Sequence, residues 1–309
     1  MALLFSETST KVELPAVALD TSISDSGDLI SVGLAGSSKC SVIQVYNARN
    51  GQVLAELGKD YSNCHSVSFI NEYSLYCLLE DNIGDRKLCL TNWQKGTLVE
   101  VASYGLSENC YKLTIDASKR LLAVLGNAIE VWDLEAQAVV RFIEGADSSQ
   151  RVCASFSSDA SILYAYGIEP SKISAIRMQD GQVVSSLPAP KPFGQQLLVS
   201  PSDRFCLAVG EGVEGVYLYD LKGRERLNTD FYNKTTLVPG PFAFSPDSSL
   251  LISCAAGWIA EGVTTDEYIS GPDLPTGKQS ALSANLKAPL FAVAYFDNTL
   301  SWVSLEEAV

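Results

Sequence analysis

The sequence predicts an all-β fold, a seven-bladed β-propeller of four-stranded antiparallel blades. Three observations carry this. A strand–turn–strand unit recurs along the chain, its copies are punctuated by Ser, Asp, Pro and Gly turn residues, and both ends of the chain show strand-like alternation.

First strands are expected to begin near Val17, His65, Tyr111, Val152, Gln195, Phe242 and Ala281, 39 to 48 residues apart, within a single domain spanning 1–309. The first half of the unit is clearest at 156–164 (FSSDASILY), 199–207 (VSPSDRFCL) and 244–252 (FSPDSSLLI). Its second half shows at 43–54 (IQVYNARNGQVL), 129–140 (IEVWDLEAQAVV) and 216–224 (VYLYDLKGR). Asn50-Gly51 and Asp180-Gly181 are hairpin turns, because a tight two-residue connection needs positive backbone φ. One such sheet buries neither face alone, so successive sheets must stack. The last stretch supplies two strands, 290–296 and 299–305. The segment 1–16 is expected to complete their sheet, closing the propeller by pairing the N- and C-terminal segments.

These units resemble the WD40-repeat family. The likeness is sharpest at Ile129-Glu130-Val131-Trp132-Asp133-Leu134, while Tyr46-Asn47 and Tyr219-Asp220 stand where the Trp-Asp pair would be. The resemblance implies the propeller fold and the terminal clasp. The family's Gly-His dipeptide is absent and the single histidine, His65, follows Cys64, so apolar packing is expected to hold the blades. Adaptors of cullin ubiquitin ligases share a Trp-Asp-x-Arg end, but Glu135 stands at that arginine position. Phosphoinositide-binding propellers carry Phe-Arg-Arg-Gly, and this chain has no Arg-Arg pair.

Composition narrows the function classes. A net charge of −14 argues against direct nucleic-acid binding and against an anionic membrane, since both need clustered Lys and Arg. A Lys/Arg-rich protein segment is the natural partner for such a field. The eight cysteines stand singly, without a CxxC pair, as expected of buried thiols in a reducing compartment. With no basic leader and no long apolar run at the N-terminus, the expected location is intracellular, cytoplasmic or nuclear. The sequon at Asn233 then carries no glycan.

Candidate sites fall on the connections between second and third strands and between successive blades, which are long and acidic. Glu80, Asp81, Glu211 and Glu214 belong to this set. The segment 256–267 is read as a loop of the same end, with Trp258 and Ile259 as contact residues beside Glu261, Asp266 and Glu267; the other reading is an extended blade strand whose Trp258 packs down on its sheet. Phe231 and Tyr232 add an aromatic surface entering the same blade.

Chemistry-bearing patterns are sparse. Cys64, His65 and Cys110 share repeat register but lack a fourth zinc ligand. Residues 210–215 match GxGxxG in spacing, yet they join two strands and carry two glutamates that repel phosphate. One histidine leaves little room for a Ser-His-Asp triad. The expectation is a non-catalytic protein-interaction scaffold, a subunit of a larger hetero-complex, without cofactor or metal. The enzymatic alternative is a glycosidase-like hydrolase using carboxylates near a central channel.

Overall fold

The structure is a computed structural model. It describes residues 3–6, 10–36, 40–105, 108–145, 152–189, 196–210, 216–227, 241–254, 257–265, 267–273, 279–285, 287 and 289–307. Two short segments come first, β1 (Leu3–Phe5) and β2 (Thr10–Glu13). Blade 1 is β3 (Ala18–Ile23), β4 (Leu29–Leu34), β5 (Ile43–Asn47) and β6 (Val53–Leu57); blade 2 is β7 (Asn63–Asn71), β8 (Ser74–Glu80), β9 (Arg86–Asn92) and β10 (Thr97–Tyr104). Blade 3 is β11 (Lys112–Ile115), β12 (Leu121–Leu125), β13 (Ala128–Asp133) and β14 (Ala138–Glu144); blade 4 is β15 (Cys153–Phe156), β16 (Ile162–Tyr166), β17 (Lys172–Arg177) and β18 (Val183–Pro188). Blade 5 is β19 (Gln196–Val199), β20 (Phe205–Val209), β21 (Val216–Asp220) and β22 (Glu225–Leu227). Blade 6 is β23 (Phe242–Phe244), β24 (Leu250–Ser253), β25 (Gly257–Gly262) and β26 (Tyr268–Asp273). Blade 7 has β27 (Gln279–Ala284), β28 (Leu290–Tyr295) and β29 (Thr299–Glu307).

These seven antiparallel sheets are the blades of a seven-bladed β-propeller. Each begins within two residues of the position expected from sequence. In blade 7 the fourth position is filled from the other end of the chain: β1 pairs with β29 at Phe5↔Leu305 and β2 pairs with it at Val12↔Leu300. The expected clasp is therefore present.

A single turn chemistry repeats between first and second strands. The side-chain oxygens of Ser24, Asp116, Ser157, Ser200 and Ser245 accept the N–H five residues on, at Leu29, Leu121, Ile162, Phe205 and Leu250. The fourth residue of each turn has positive φ, supplied by Gly27 (76°), Lys119 (62°), Ala160 (57°), Asp203 (57°) and Ser248 (65°). Only the glycine adopts this without steric cost; the other four rely on the turn's hydrogen bonds to hold them there. Third strands end in a matching device. Asp133 Oδ1 accepts from Glu135 and Ala136 N–H, and Asp220 Oδ1 from Lys222 and Gly223 N–H. Their other oxygens face Arg120 at 3.1 Å and Arg204 at 3.2 Å, each from the preceding first-to-second turn. The Asp of the Trp-Asp and Tyr-Asp pairs thus ties two turns of one blade together.

The chain divides into two compact units, Met1–Ser107 with Gly240–Val309, and Glu108–Pro239. The first holds blades 1, 2, 6 and 7. Its apolar cores lie between sheets: Val45, Phe69, Leu75 and Leu79 join blades 1 and 2, while Ile252, Trp258, Phe291 and Tyr295 join blades 6 and 7. Each such fully buried side chain contributes about 1.5–3 kcal/mol relative to exposure. Polar ties supplement the packing. Asp20 accepts from Ser66 Oγ and Val67 N–H, Trp302 Nε1 donates to Ala48 O at 2.6 Å, and Lys287 Nζ meets Asp25 at 2.5 Å. The second unit holds blades 3 to 5. There Ala123, Val131, Phe156 and Leu163 pack blade 3 on blade 4, and Tyr111 Oη donates to Val152 O at 2.6 Å.

Candidate functional site

At the end of blade 2 where β8 turns into β9, strand register brings five polar side chains together. β7 and β8 pair at Asn63↔Glu80, and β8 and β9 at Glu80↔Arg86, which places Glu80 between donors on both sides. His65 Nε2 lies 2.5 Å from Glu80 Oε2, and Asn63 Nδ2 donates to Oε1 at 3.0 Å. Ser62 Oγ reaches Oε1 at 3.4 Å, and Arg86 Nε stands 3.6 Å from Oε2. Partial burial alone would raise the Glu80 carboxyl. Hydrogen bonds from His65 and Asn63, with the charges of His65 and Arg86, outweigh that and hold it below the ordinary glutamate range. The arrangement makes a fixed anion, unlike the raised, proton-holding carboxyl that acid catalysis of glycoside cleavage requires.

The connection that follows is short and internally braced. Asp81 Oδ1 accepts from Ile83 and Asp85 N–H, each at 3.0 Å, and Gly84, at φ 93°, closes the turn by donating to Asp81 O. With its backbone so tied, the loop presents Ile83 outward at 77% exposure, between Asp81 and Asp85. A large aliphatic side chain held in water on a rigid support is a ready contact residue. Lys87 Nζ donates to Ser103 Oγ at 2.7 Å and lies 4.0 Å from both Asp81 and Glu100, a separation at which partly exposed pairs contribute little.

Of the residues singled out from sequence, Glu80 and Asp81 lie here. Trp258 and Ile259 do not form an exposed surface; Trp258 follows the alternative reading, packed onto its sheet. Residues 257–262 form the third strand of blade 6, and Trp258 is fully buried against Phe5 of the clasp, with ring centroids 6.1 Å apart. Ile259 is 8% exposed. Residues 263–265 and 267 then lie between the third and fourth strands. Val263 N–H donates to Ser249 O of the neighbouring first-to-second turn. Glu261 and Glu267 therefore belong to the tight-turn end of blade 6, opposite to the end expected. Phe231, Tyr232, Glu211, Glu214 and Asp266 lie outside the described residues.

Two participants were not anticipated as such. His65 was read only as a weak zinc candidate, and Ile83 was passed over among the acids of its loop. An aliphatic residue inside Asp-Asn-x-Gly-Asp is the signal that marks the latter, since nothing in a turn of that composition buries it. Among the described residues no group of three His, Cys, Asp or Glu gathers to hold a metal; Cys64 and Cys110 are both buried. In the second unit, Glu169 is fixed in the same manner as Glu80, accepting from Ser186 Oγ at 2.6 Å and Ser174 Oγ at 2.9 Å. No protein-family model matches the chain, and no curated protein does.

Proposed function

We propose that this chain is a WD40-like propeller that serves as a non-catalytic interaction platform, one subunit of a larger intracellular assembly. In this reading a partner segment combining an aliphatic or aromatic side chain with Lys or Arg docks on the loop 81–85 of blade 2. The observation that carries it is Ile83, exposed on a braced turn between two aspartates. The net charge of −14 supports a basic partner through faster encounter and complementary contact. The turn-tying Asp133 and Asp220, in the register of the Trp-Asp pair, support the WD40-like assignment.

The test compares wild-type protein with an Ile83→Ser, Asp85→Lys variant. Stoichiometric partners are recovered from extract at about 0.05 and 0.3 M salt, a span over which screening of exposed charges changes strongly, and are identified by native mass spectrometry. Loss of one partner from the variant, and weaker recovery at the higher salt, is the expected result. Equal recovery by both proteins, independent of salt, overturns the reading.

A further inference from the structure

The fourth strand of blade 3, like those of blades 1, 2 and 4 to 6, is a sheet edge. β14 pairs with β13 on one side and, among the described residues, with no strand on the other. Open edges are commonly guarded by a lysine, a proline or an inward charge; β10, for instance, carries Glu100 in its middle. The one charge in the middle of β14 is Arg141, and it is drawn aside onto blade 4. Its Nε donates to Met178 O at 3.1 Å, and a second guanidinium nitrogen donates to Gln179 O. A third donates to Val140 O at 2.9 Å. What the strand shows to solvent is apolar, with Val139 at 43%, Val140 at 38% and Phe142 at 59% exposure. Both ends are acidic and exposed, Glu135 in the turn before the strand and Glu144 at its close.

We infer that the β14 edge is a docking site for an extended segment of another protein, carrying apolar side chains at its centre and Lys or Arg at both ends. Backbone groups of the edge other than Val140 O, which Arg141 already occupies, supply ladder hydrogen bonds, as in strand addition to a sheet edge. Phe142 and the two valines supply the apolar contact, and Glu135 and Glu144 select basic flanks. The same charges disfavour a second copy of this chain. An antiparallel pair of two β14 edges sets acidic end against acidic end, between molecules that each carry −14. This surface is separate from the blade 2 loop, and either assignment stands without the other.

The probe is a fluorescent nonapeptide of alternating Val and Thr with Lys at both ends, measured by anisotropy on the full chain. Three controls accompany it: the peptide with Glu for Lys, the peptide N-methylated at alternate amides, and the Phe142→Lys protein. A Phe142→Thr protein, which places a β-branched residue of high strand propensity there, guards against misfolding of the lysine variant. Binding of the lysine peptide, weakened about tenfold or more by either protein substitution and abolished by Glu or by N-methylation, is expected. The Ile83→Ser, Asp85→Lys protein should bind this peptide as wild type does. The inference is overturned if the N-methylated peptide binds equally well, if Phe142→Lys and Phe142→Thr have no effect, or if nothing binds up to about 1 mM. A wild-type dimer lost in Phe142→Lys, without peptide binding, overturns it in favour of a second copy.

Discussion

The buried carboxylate of Asp20, on the first strand of blade 1, accepts a hydrogen bond from the hydroxyl of Ser66 on the first strand of blade 2 at 2.5 Å. Val67 N–H donates to the same oxygen at 3.1 Å. Both side chains are almost wholly shielded from water. A polar side chain in that position is tolerable because fixed donors replace its hydration.

Asp20→Ala should therefore cost about 2–4 kcal/mol, since it removes the acceptor of two buried hydrogen bonds between blades. Ser66→Ala should cost less, because Val67 N–H still serves the carboxylate. Urea titrations of both single variants and the double variant give the coupling. A double variant whose cost equals the sum of the two singles would show that the pair does not act together.

Trp258→Ala is expected to destabilise the protein by about 3–5 kcal/mol, the range for truncating a large buried aromatic. The loss should be felt first at the clasp, where Phe5 packs against this ring. Hydrogen exchange checks it. Amides of β1 should lose protection in the variant well before those of β8; uniform loss would mean that Trp258 supports the fold without any special tie to the N-terminus.

Glu80 gives a pH dependence of defined sign. Its folded pKa lies below the unfolded value of about 4.3, so its stabilising effect is complete above that pH and disappears as pH falls through the folded pKa. Wild type should exceed Glu80→Gln in stability at pH 7, and the gap should close towards pH 3. Chemical denaturation at several pH values measures it, and a gap that stays constant throughout would contradict the account.

Ala160 occupies the left-handed position of its turn at φ 57°. Ala160→Gly should be neutral to stabilising by up to about 1 kcal/mol, relief of the Cβ clash being offset in part by the unfolded-state entropy of glycine. Gly27→Ala, at φ 76°, should destabilise by a similar amount. In thermal melts Gly27→Ala should lower the midpoint, whereas Ala160→Gly should leave it unchanged or raise it; a lowered midpoint for Ala160→Gly would contradict the account.

The blades were legible because their turns are local. Ser157 to Ile162 and Ser245 to Leu250 close a hydrogen bond over five residues with the same residue types, so the pattern survives in a single sequence. Blade 2 lacks it, turning instead through Asn71, whose Oδ1 accepts Tyr73 N–H, yet the apolar strands on either side still located it. The sequence left Trp258 open between a loop contact and a strand residue packed on its sheet for a specific reason, and the structure shows the second. Trp258, Ile259 and Ala260 are all buried, so β25 shows no alternation, and Gly257 and Gly262 bound it as they would a loop. Nor does local patterning foretell the Asp20 tie, which joins residues of different blades, or the Glu80 cluster, which forms only when three strands align.

The clasp also orders events during synthesis. Phe5 emerges about 300 residues before Leu305, although the two pair directly. At ribosomal speeds of about 5–20 residues per second the N-terminal strand waits on the order of tens of seconds for its partner. Blades 1 to 6 have every strand of their own by then. Blade 7 does not, and the nascent chain holds an unsealed sheet until β29 has been made.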